Sequence, residues 1–463
     1  MMMYEDLKKI ILESPSGKGE EWISKRKGIE WSDEYKERPA QDKTLEKIGL
    51  KRADDSERFV EGFKEVAKSR AMVNFMESCT HCGICIDKCH MFISTGDVNN
   101  SPVGRAEIAR KLYRKGDSLS ASDIDLNRIY AYYYQCTECR RCSVFCPQGI
   151  DQSEITRNVR EVLTGMGVMP DYLASTMAQV VKTGNNLGLT PSGIKSVVEF
   201  IEDEMKEETG KEFTIPVDKP KAEILMIPSS ADLYVNTDTL KGYAKVLDTL
   251  KKDWTISTHT TEAADFGLFA SERYLKDFGD RVVEEALSRG SKLVIWGECG
   301  HGWRTANNYV RFRLAEYGIE LMHIHQYTLS AMKRGDLKFD KNANDDLYTY
   351  HDPCNYARGG NLVNEPRELL SAVVRETVEA RYAKEKTFCC GAGAGLLADE
   401  ATWNEFRAWA GWPALYYSWK TGAENMVSPC AIDKAQFPFL IDYHKVKMHN
   451  SGLMDLVGKA LEI

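Results

Sequence analysis

Thirteen cysteines carry the chemistry open to this chain. Eight fall in two runs of one spacing, Cys79, Cys82, Cys85 and Cys89, then Cys136, Cys139, Cys142 and Cys146, each C-x2-C-x2-C-x3-C, with Pro147 closing the second. Two residues between thiolates let a tight loop grip a compact inorganic cube with three sulfurs, while the fourth, three residues on, starts a helix that points elsewhere. Iron–sulfur clusters use this spacing; zinc usually takes paired C-x2-C units separated by a longer loop. The other five, Cys299, Cys354, Cys389, Cys390 and Cys430, stand singly or as a vicinal pair beside Gly, Pro or Asp. Three metal centres are the natural count.

The double run is similar to that of bacterial two-cluster ferredoxins, in which the fourth cysteine of each run ligates the other cluster. The expected sets are therefore Cys79, Cys82, Cys85 and Cys146 for one cubane [4Fe-4S], and Cys136, Cys139, Cys142 and Cys89 for the second. His90 replaces the proline expected after Cys89; it either donates a hydrogen bond toward the cluster or caps a helix. Five C-terminal thiolates are one more than a cubane requires, which points to an unusual cluster or to a cubane plus a substrate-facing thiol. A redox-active disulfide of Cys389 with Cys390 is the alternative. Gly391 and Gly393 after the pair, and Gly300 after Cys299, let backbone approach a bulky centre without side-chain clash.

The elements that must position these thiols change character along the chain. Its 463 residues suffice for two to four units at about 150 residues each, and 43% hydrophobic with 28% charged residues is ordinary for a soluble globular protein. Residues 1–70 read as a charged helical arm, with helical patches at Tyr4–Leu12 and Ser56–Lys68. Residues 71–151 hold the two cysteine runs, separated by helical stretches near Arg105–Arg114 and Leu126–Tyr134. Residues 152–220 read as a helical connector broken at Pro170 and near Thr190–Gly193. Beyond Pro220 short β-rich runs (AEILMIP, DWTIST, KLVIWGE, IELMHIH, LYTYHDP, AENMVSP) alternate with amphipathic helices such as Thr237–Lys251, Arg281–Arg289 and Glu365–Ala380, giving α/β half-domains at 221–345 and 346–463. The predicted fold is thus α+β and α/β, a helical two-cluster ferredoxin followed by parallel sheets. Ligands in such sheets collect beyond the carboxyl ends of strands, where Cys299, Cys354 and Cys430 follow three of the runs and Cys389-Cys390 precedes GAGAG.

Several classes are excluded or disfavoured. No stretch of about 18 apolar residues is present, so no spanning helix is expected. The N-terminus has neither an apolar h-region nor a cleavage site, and thiolate ligands suit a reducing compartment, so the chain is read as cytoplasmic. A net charge of −8 without a basic stripe argues against nucleic acid. No GxGxxG follows a strand, so no flavin or NAD is expected on this chain.

The stretches GECGHGWR (297–304), YHDPCNYARG (350–359), FCCGAGAG (388–395) and PCAIDKA (429–435), with YQCTECRRCSVFCPQGID (134–151), resemble the CCG-domain proteins of the heterodisulfide-reductase type, in particular their DsrK branch, close to the Hmc and Tmc complex counterparts. The resemblance covers residues 71–440. It implies a cytoplasmic subunit on the inner face of the membrane in which two cubane [4Fe-4S] clusters feed a noncubane [4Fe-4S] cluster on the CCG cysteines, where a disulfide or trisulfide is cleaved. It also implies partners: a membrane haem b, quinone-oxidising subunit of the DsrM kind, other complex subunits, and a small thiol protein of the DsrC kind. Two departures stand out. The final C-x2-C reads Cys430-Ala431-Ile432-Asp433, with Cys299 of the degenerate first half as a candidate fifth ligand, and only one near-complete CCG site is present.

Cleaving an S–S bond takes two electrons and one or two protons, delivered to Cys389 and Cys390. His301 and His351, near ligand cysteines in sequence, are candidate proton donors or hydrogen bonds that shape their loops; Arg304 or Arg358 could stabilise thiolate charge. Arg140 and Arg141 tune potential or meet a partner. Tyr132, Tyr133 and Tyr134 read as core. Two other functions fit the same motifs: a pure electron relay, and the iron–sulfur subunit of a glycolate, lactate or glycerol-3-phosphate dehydrogenase. The arm and the 154–211 span are candidate docking surfaces.

Overall fold

The short apolar runs are strands that helices cover on both faces, as the four fully buried residues of Ile224–Ile227 show. The structure, a computed structural model, describes residues 4–31, 39–398 and 400–462, with side chains for 7–31, 39–397 and 405–462; residues 1–3 and 32–38 of the predicted arm lie outside the described residues. Strands β1 (Ile224–Ile227), β2 (Trp254–Thr255), β3 (Leu293–Trp296) and β4 (Glu320–His323) form one sheet in the order β2-β1-β3-β4. Strands β5 (Leu347–Tyr350), β6 (Glu376–Val378), β7 (Asn425–Val427) and β8 (His449–Ser451) form a second in the order β6-β5-β7-β8. All pairings are parallel. The expected fold class, a helical dicluster unit followed by parallel α/β layers, is the one observed.

Register decides where loops emerge. Ile227 pairs with Trp296 and Trp296 with His323, so β1, β3 and β4 end level; Tyr350 pairs with Val427, so the loops after β5 and β7 leave side by side. Each sheet reverses strand order at its middle pair, which opens a crevice beyond the carboxyl ends there.

Two elements differ from the sequence reading. The helix expected over Glu365–Ala380 ends at Val373, and Glu376–Val378 is β6, because Val373, Val374, Thr377 and Val378 are β-branched and favour extended backbone. Strand β8, with two of its three residues partly buried and one exposed, has no apolar alternation to announce it.

The N-terminal arm lies on the chain's own C-terminal half. Trp412 Nε1 donates to Ile10 O (2.6 Å), Trp22 Nε1 donates to Ser94 O (2.9 Å), and Trp22 stacks on Trp409 at 6.0 Å. The two sheets share a core: the helix Thr237–Thr249 packs on Leu453–Ala460, where a side chain at Gly242 would collide with Met454 O. Tyr132, Tyr133 and Tyr134 are buried. Among the described residues no helix is long and apolar enough to cross a membrane.

Candidate metal centre

The two C-x2-C-x2-C loops share one backbone path. His81 and Gly83 in the first have φ of 55° and 74°; Glu138 and Arg140, at the matching positions of the second, have 52° and 61°. Alternate left-handed residues turn each loop inward so that its sulfurs converge, and Gly83 adopts this at no steric cost whereas Arg140 does not. A small cavity is lined by Cys79, Cys82, Cys85, Cys146 and Cys142. Cys85 has Cys89 and Cys146 as electrostatic neighbours, and burial pushes its thiol up to about 12. Cys142 neighbours Cys89, Cys136 and Cys85. Cys146 thus comes to the first run and Cys89 to the second.

Cys139, an electrostatic neighbour of Cys142, also reaches beyond its own run. Its sulfur, Cys389 Sγ and a His90 ring nitrogen lie within 4.8 Å of one another. His90 opens the helix His90–Thr95 and sits 3.9 Å from Cys139 Sγ through Nδ1 and 3.1 Å from Thr137 Oγ1 through Nε2. The cap position belongs to Cys89 and no side chain caps this helix, so His90 turns its ring to the second cysteine loop instead.

Cys389 is the hub of the C-terminal set. Thiol hydrogen bonds from Cys139, Cys354 and Cys390 converge on it and lower its pKa, and the same hydrogen bonds, with burial, raise the other three. Gly391 N donates to Cys389 Sγ at 3.4 Å. Cys299 and Cys430 are electrostatic neighbours; Gly302 N donates to Cys299 Sγ (3.4 Å) and Gly300 N to Cys430 Sγ (3.3 Å). Asp433, which hydrogen-bonds Cys390 and neighbours Cys430, joins the two groups. The loops after β3, β5, β6 and β7 therefore bring all five thiols to one buried region, each less than a tenth exposed.

The glycines act differently from one another. A Cβ at Gly300 would lie 3.1 Å from Cys430 Sγ, and one at Gly393 would lie 3.1 Å from His301 Nε2, so both leave room at the thiols. A Cβ at Gly391 (φ +88°) would meet Gly411 N at 2.6 Å, so this glycine serves the packing of its loop on the helix Glu400–Trp419.

Burial lowers His301 to about 4 and His351 to about 3, so both imidazoles are neutral at pH 7. Neither stores a proton as imidazolium. Arg304 donates to Glu138 O (3.1 Å), Asn355 Oδ1 (3.2 Å) and Ser153 Oγ (3.4 Å), tying the dicluster loop to the CCG loop. Arg358 donates to Cys139 O, Glu385 O and Thr387 O and neighbours Cys354. Arg141 reaches Lys88 O and Lys386 O with its guanidinium 3.6 Å over Phe388, whereas Arg140 pairs with Asp151 at 2.8 Å.

Sequence reasoning passed over Arg105, whose Nη2 lies 3.6 Å from Cys89 Sγ, and Arg160, which donates to Cys136 O (2.6 Å) and Glu138 Oε1 (2.9 Å). Both sit on helices outside the cysteine runs, and no spacing marks them. It also passed over the carboxyl groups: Asp265 Oδ2 is 3.9 Å from Cys299 Sγ, and Asp433 had been noted only as a missing thiol.

An iron–sulfur group fits this donor set. Backbone N–H groups aimed at sulfur suit thiolate ligands, and soft thiolates select such clusters. Five buried polar atoms around the thiols, His301 Nε2, His351 Nε2, Arg358 Nη2, Asp265 Oδ1 and Asp433 Oδ2, have no hydrogen-bond partner among the described residues, which marks space for a polar group.

Comparison with known proteins agrees. Residues 75–150 match the 4Fe-4S dicluster domain and residues 348–432 the cysteine-rich domain. The Hdr-like menaquinol oxidoreductase iron–sulfur subunit 2 of Archaeoglobus fulgidus is 34% identical over 87% of this chain and 83% of that protein. The corresponding iron–sulfur subunit of Archaeoglobus profundus is 34% identical over 87% of this chain and 82% of its own length. A component of the dihydromethanophenazine:CoB–CoM heterodisulfide reductase of Methanosarcina acetivorans is 23% identical over 72% of this chain and 82% of that protein. Thiols gathered from a dicluster unit and from four strand-end loops, in a sequence this close to those relatives, place the chain in the family of Hdr-like iron–sulfur oxidoreductase subunits.

Proposed function

We propose that this chain is the catalytic iron–sulfur subunit of a membrane-bound quinol-oxidising complex, peripheral on the cytoplasmic face, and that it reductively cleaves a disulfide or trisulfide carried by a small thiol protein, as in the DsrK branch. The observation that carries this reading is the contact of Cys139 with Cys389, which joins the dicluster loop to the vicinal pair. A relay through all three centres would use the same junction, so the response of the third centre to substrate decides between the two. The relatives named as menaquinol oxidoreductase and heterodisulfide reductase subunits support a quinol donor and a sulfur–sulfur acceptor.

In this reading residues 71–151 hold two cubanes, 221–345 contribute Cys299, 346–463 hold the remaining CCG thiols, and 1–70 with 152–220 brace them. Iron–sulfur centres bound there, two cubane and one noncubane, would store electrons singly and present iron to a substrate sulfur. The chain's residues do the rest. Cys139 and Cys389 provide the shortest route between the two ligand sets. Arg358, with a free Nη2 beside Cys354, favours thiolate over thiol as cleavage proceeds. Neutral His301, its Nε2 open to the site, passes a proton rather than holding one. Burial keeps water out.

Low-temperature EPR of the oxidised protein, with and without a trisulfide or thiol substrate, tests this. A substrate-dependent paramagnetic signal that is lost in Cys389→Ser and Cys390→Ser is the expected result. A signal that ignores substrate would leave a pure relay.

A further inference from the structure

The position where the C-x2-C motif ends holds a carboxylate, and its surroundings are unusual. Asp433 is 4% exposed, in the first turn of the helix Ala431–His444, whose N-cap is Cys430. Three residues on from Cys430, it lies on the same helix face as that thiol. Its one hydrogen-bond partner among the described residues is the thiol of Cys390, and Oδ2 has none. His351 Nε2 stands 3.8 Å from Oδ2 and is also without a hydrogen bond.

Among the described residues no cation compensates this carboxyl group. Lys434, the next residue, is turned to Asp232 and Glu298 at 3.2 Å each; Arg367 holds Asp352 at 2.6 Å; Arg358 spends Nε and Nη1 on backbone carbonyls and faces Cys354 with the rest of its guanidinium. A buried carboxyl group without a countercharge is held neutral, paired or bound to a metal. Cys390, its hydrogen-bond partner, and Cys430, its electrostatic neighbour, are thiols that such a metal would share with it.

We propose that Asp433 is an oxygen ligand to an iron of the third centre, and that this iron is where a substrate sulfur binds. The proposal rests on the reading that the CCG thiols hold an iron–sulfur centre. Carboxylate is the hard donor in an otherwise soft thiolate set, and so the weakest held at iron. An incoming sulfur displaces it by ligand exchange, with no change in electron count. Released Asp433 stays within reach of the His351 imidazole, which orients it for return. A cysteine in its place, added to the five thiols already there, would bind iron too firmly to yield.

The test uses the full-length chain with its clusters in place. Protein grown on aspartate labelled with 13C at the carboxyl carbon is compared with labelled Asp433→Ala by electron–nuclear double resonance at the third centre's EPR signal. A 13C coupling in the unsubstituted chain that is absent from Asp433→Ala is expected, as is its loss on adding excess mercaptoethanol. Asp433→Cys is expected to keep the iron and sulfide content, shift the g values, and abolish the mercaptoethanol response. A third centre with no 13C coupling, and with g values unmoved in Asp433→Cys, overturns the proposal while leaving the centre itself intact. Iron that accounts for the dicluster domain alone overturns the three-centre reading, and this proposal with it.

Discussion

Arg160 has no place in any cysteine motif, yet the second cysteine loop depends on it. Its guanidinium donates to Tyr133 O, Tyr134 O, Cys136 O and Glu138 Oε1, and both members of the Glu138 pair are fully buried. Burial raises the Glu138 carboxyl against the pull of Arg160. Removing one partner of such a pair leaves an uncompensated charge and costs about 3–5 kcal/mol, whereas replacing both by apolar groups costs far less. Arg160→Met is therefore expected to destabilise the chain by about 3–5 kcal/mol in chemical denaturation. Arg160→Met with Glu138→Met is expected to recover most of that loss; equal destabilisation of single and double variants would show that the carbonyl contacts, and not the charge pair, hold the loop.

At the scale of elements, the N-terminal helices are held by a titratable latch. His444 Nδ1 accepts from Ser14 Oγ (2.8 Å) while Nε2 donates to Ala408 O (3.0 Å), with the ring stacked on Trp412 at 4.3 Å. Burial lowers the imidazole to about 4 from an ordinary 6.5. The folded value is depressed, so the stabilisation is complete above pH 6.5 and is lost as pH falls through 4. The shift corresponds to about 3 kcal/mol. The unfolding free energy of the unsubstituted chain, minus that of His444→Phe, is expected to fall by about this amount between pH 7 and pH 4. Hydrogen exchange over Tyr4–Lys25 should rise in step, and a pH-independent difference would rule the latch out.

Across the whole molecule, one buried cation joins the two sheets. Lys434, just past Cys430, donates to Asp232 and Glu298 (3.2 Å each) and to Thr239 Oγ1 (2.6 Å). Glu298, just before Cys299, also accepts from His325 Nε2 and Met454 N at 2.8 Å. Burial raises Asp232 and Glu298 toward neutrality, and Lys434 opposes it in both. Lys434→Met strands two buried carboxyl groups and is expected to cost about 3–5 kcal/mol. Urea unfolding followed by tryptophan fluorescence should then show the sheets melting separately; a single unshifted transition would mean that the shared helical core alone couples them.

Much of the site was legible because it is local. Thiol spacing of two and three residues dictates a tight loop around a cluster, and short, mostly apolar strands before Cys299, Cys354 and Cys430 dictate where those thiols emerge. Strand β6 was missed because its three residues follow a helix without a turn signal between them, and β8 because its residues carry no alternation. That Cys139 meets Cys389, that Arg105 attends Cys89 and Arg160 the second cysteine run, and that Asp433 faces His351 were settled by tertiary structure alone. Each joins segments that meet only when the chain is packed, within one unit or between units, and sequence separation carries no information about such distances. The sequence by itself determined which atoms are available as ligands; packing decided which of them share a buried space, because register, helix docking and the exclusion of water act on the folded whole.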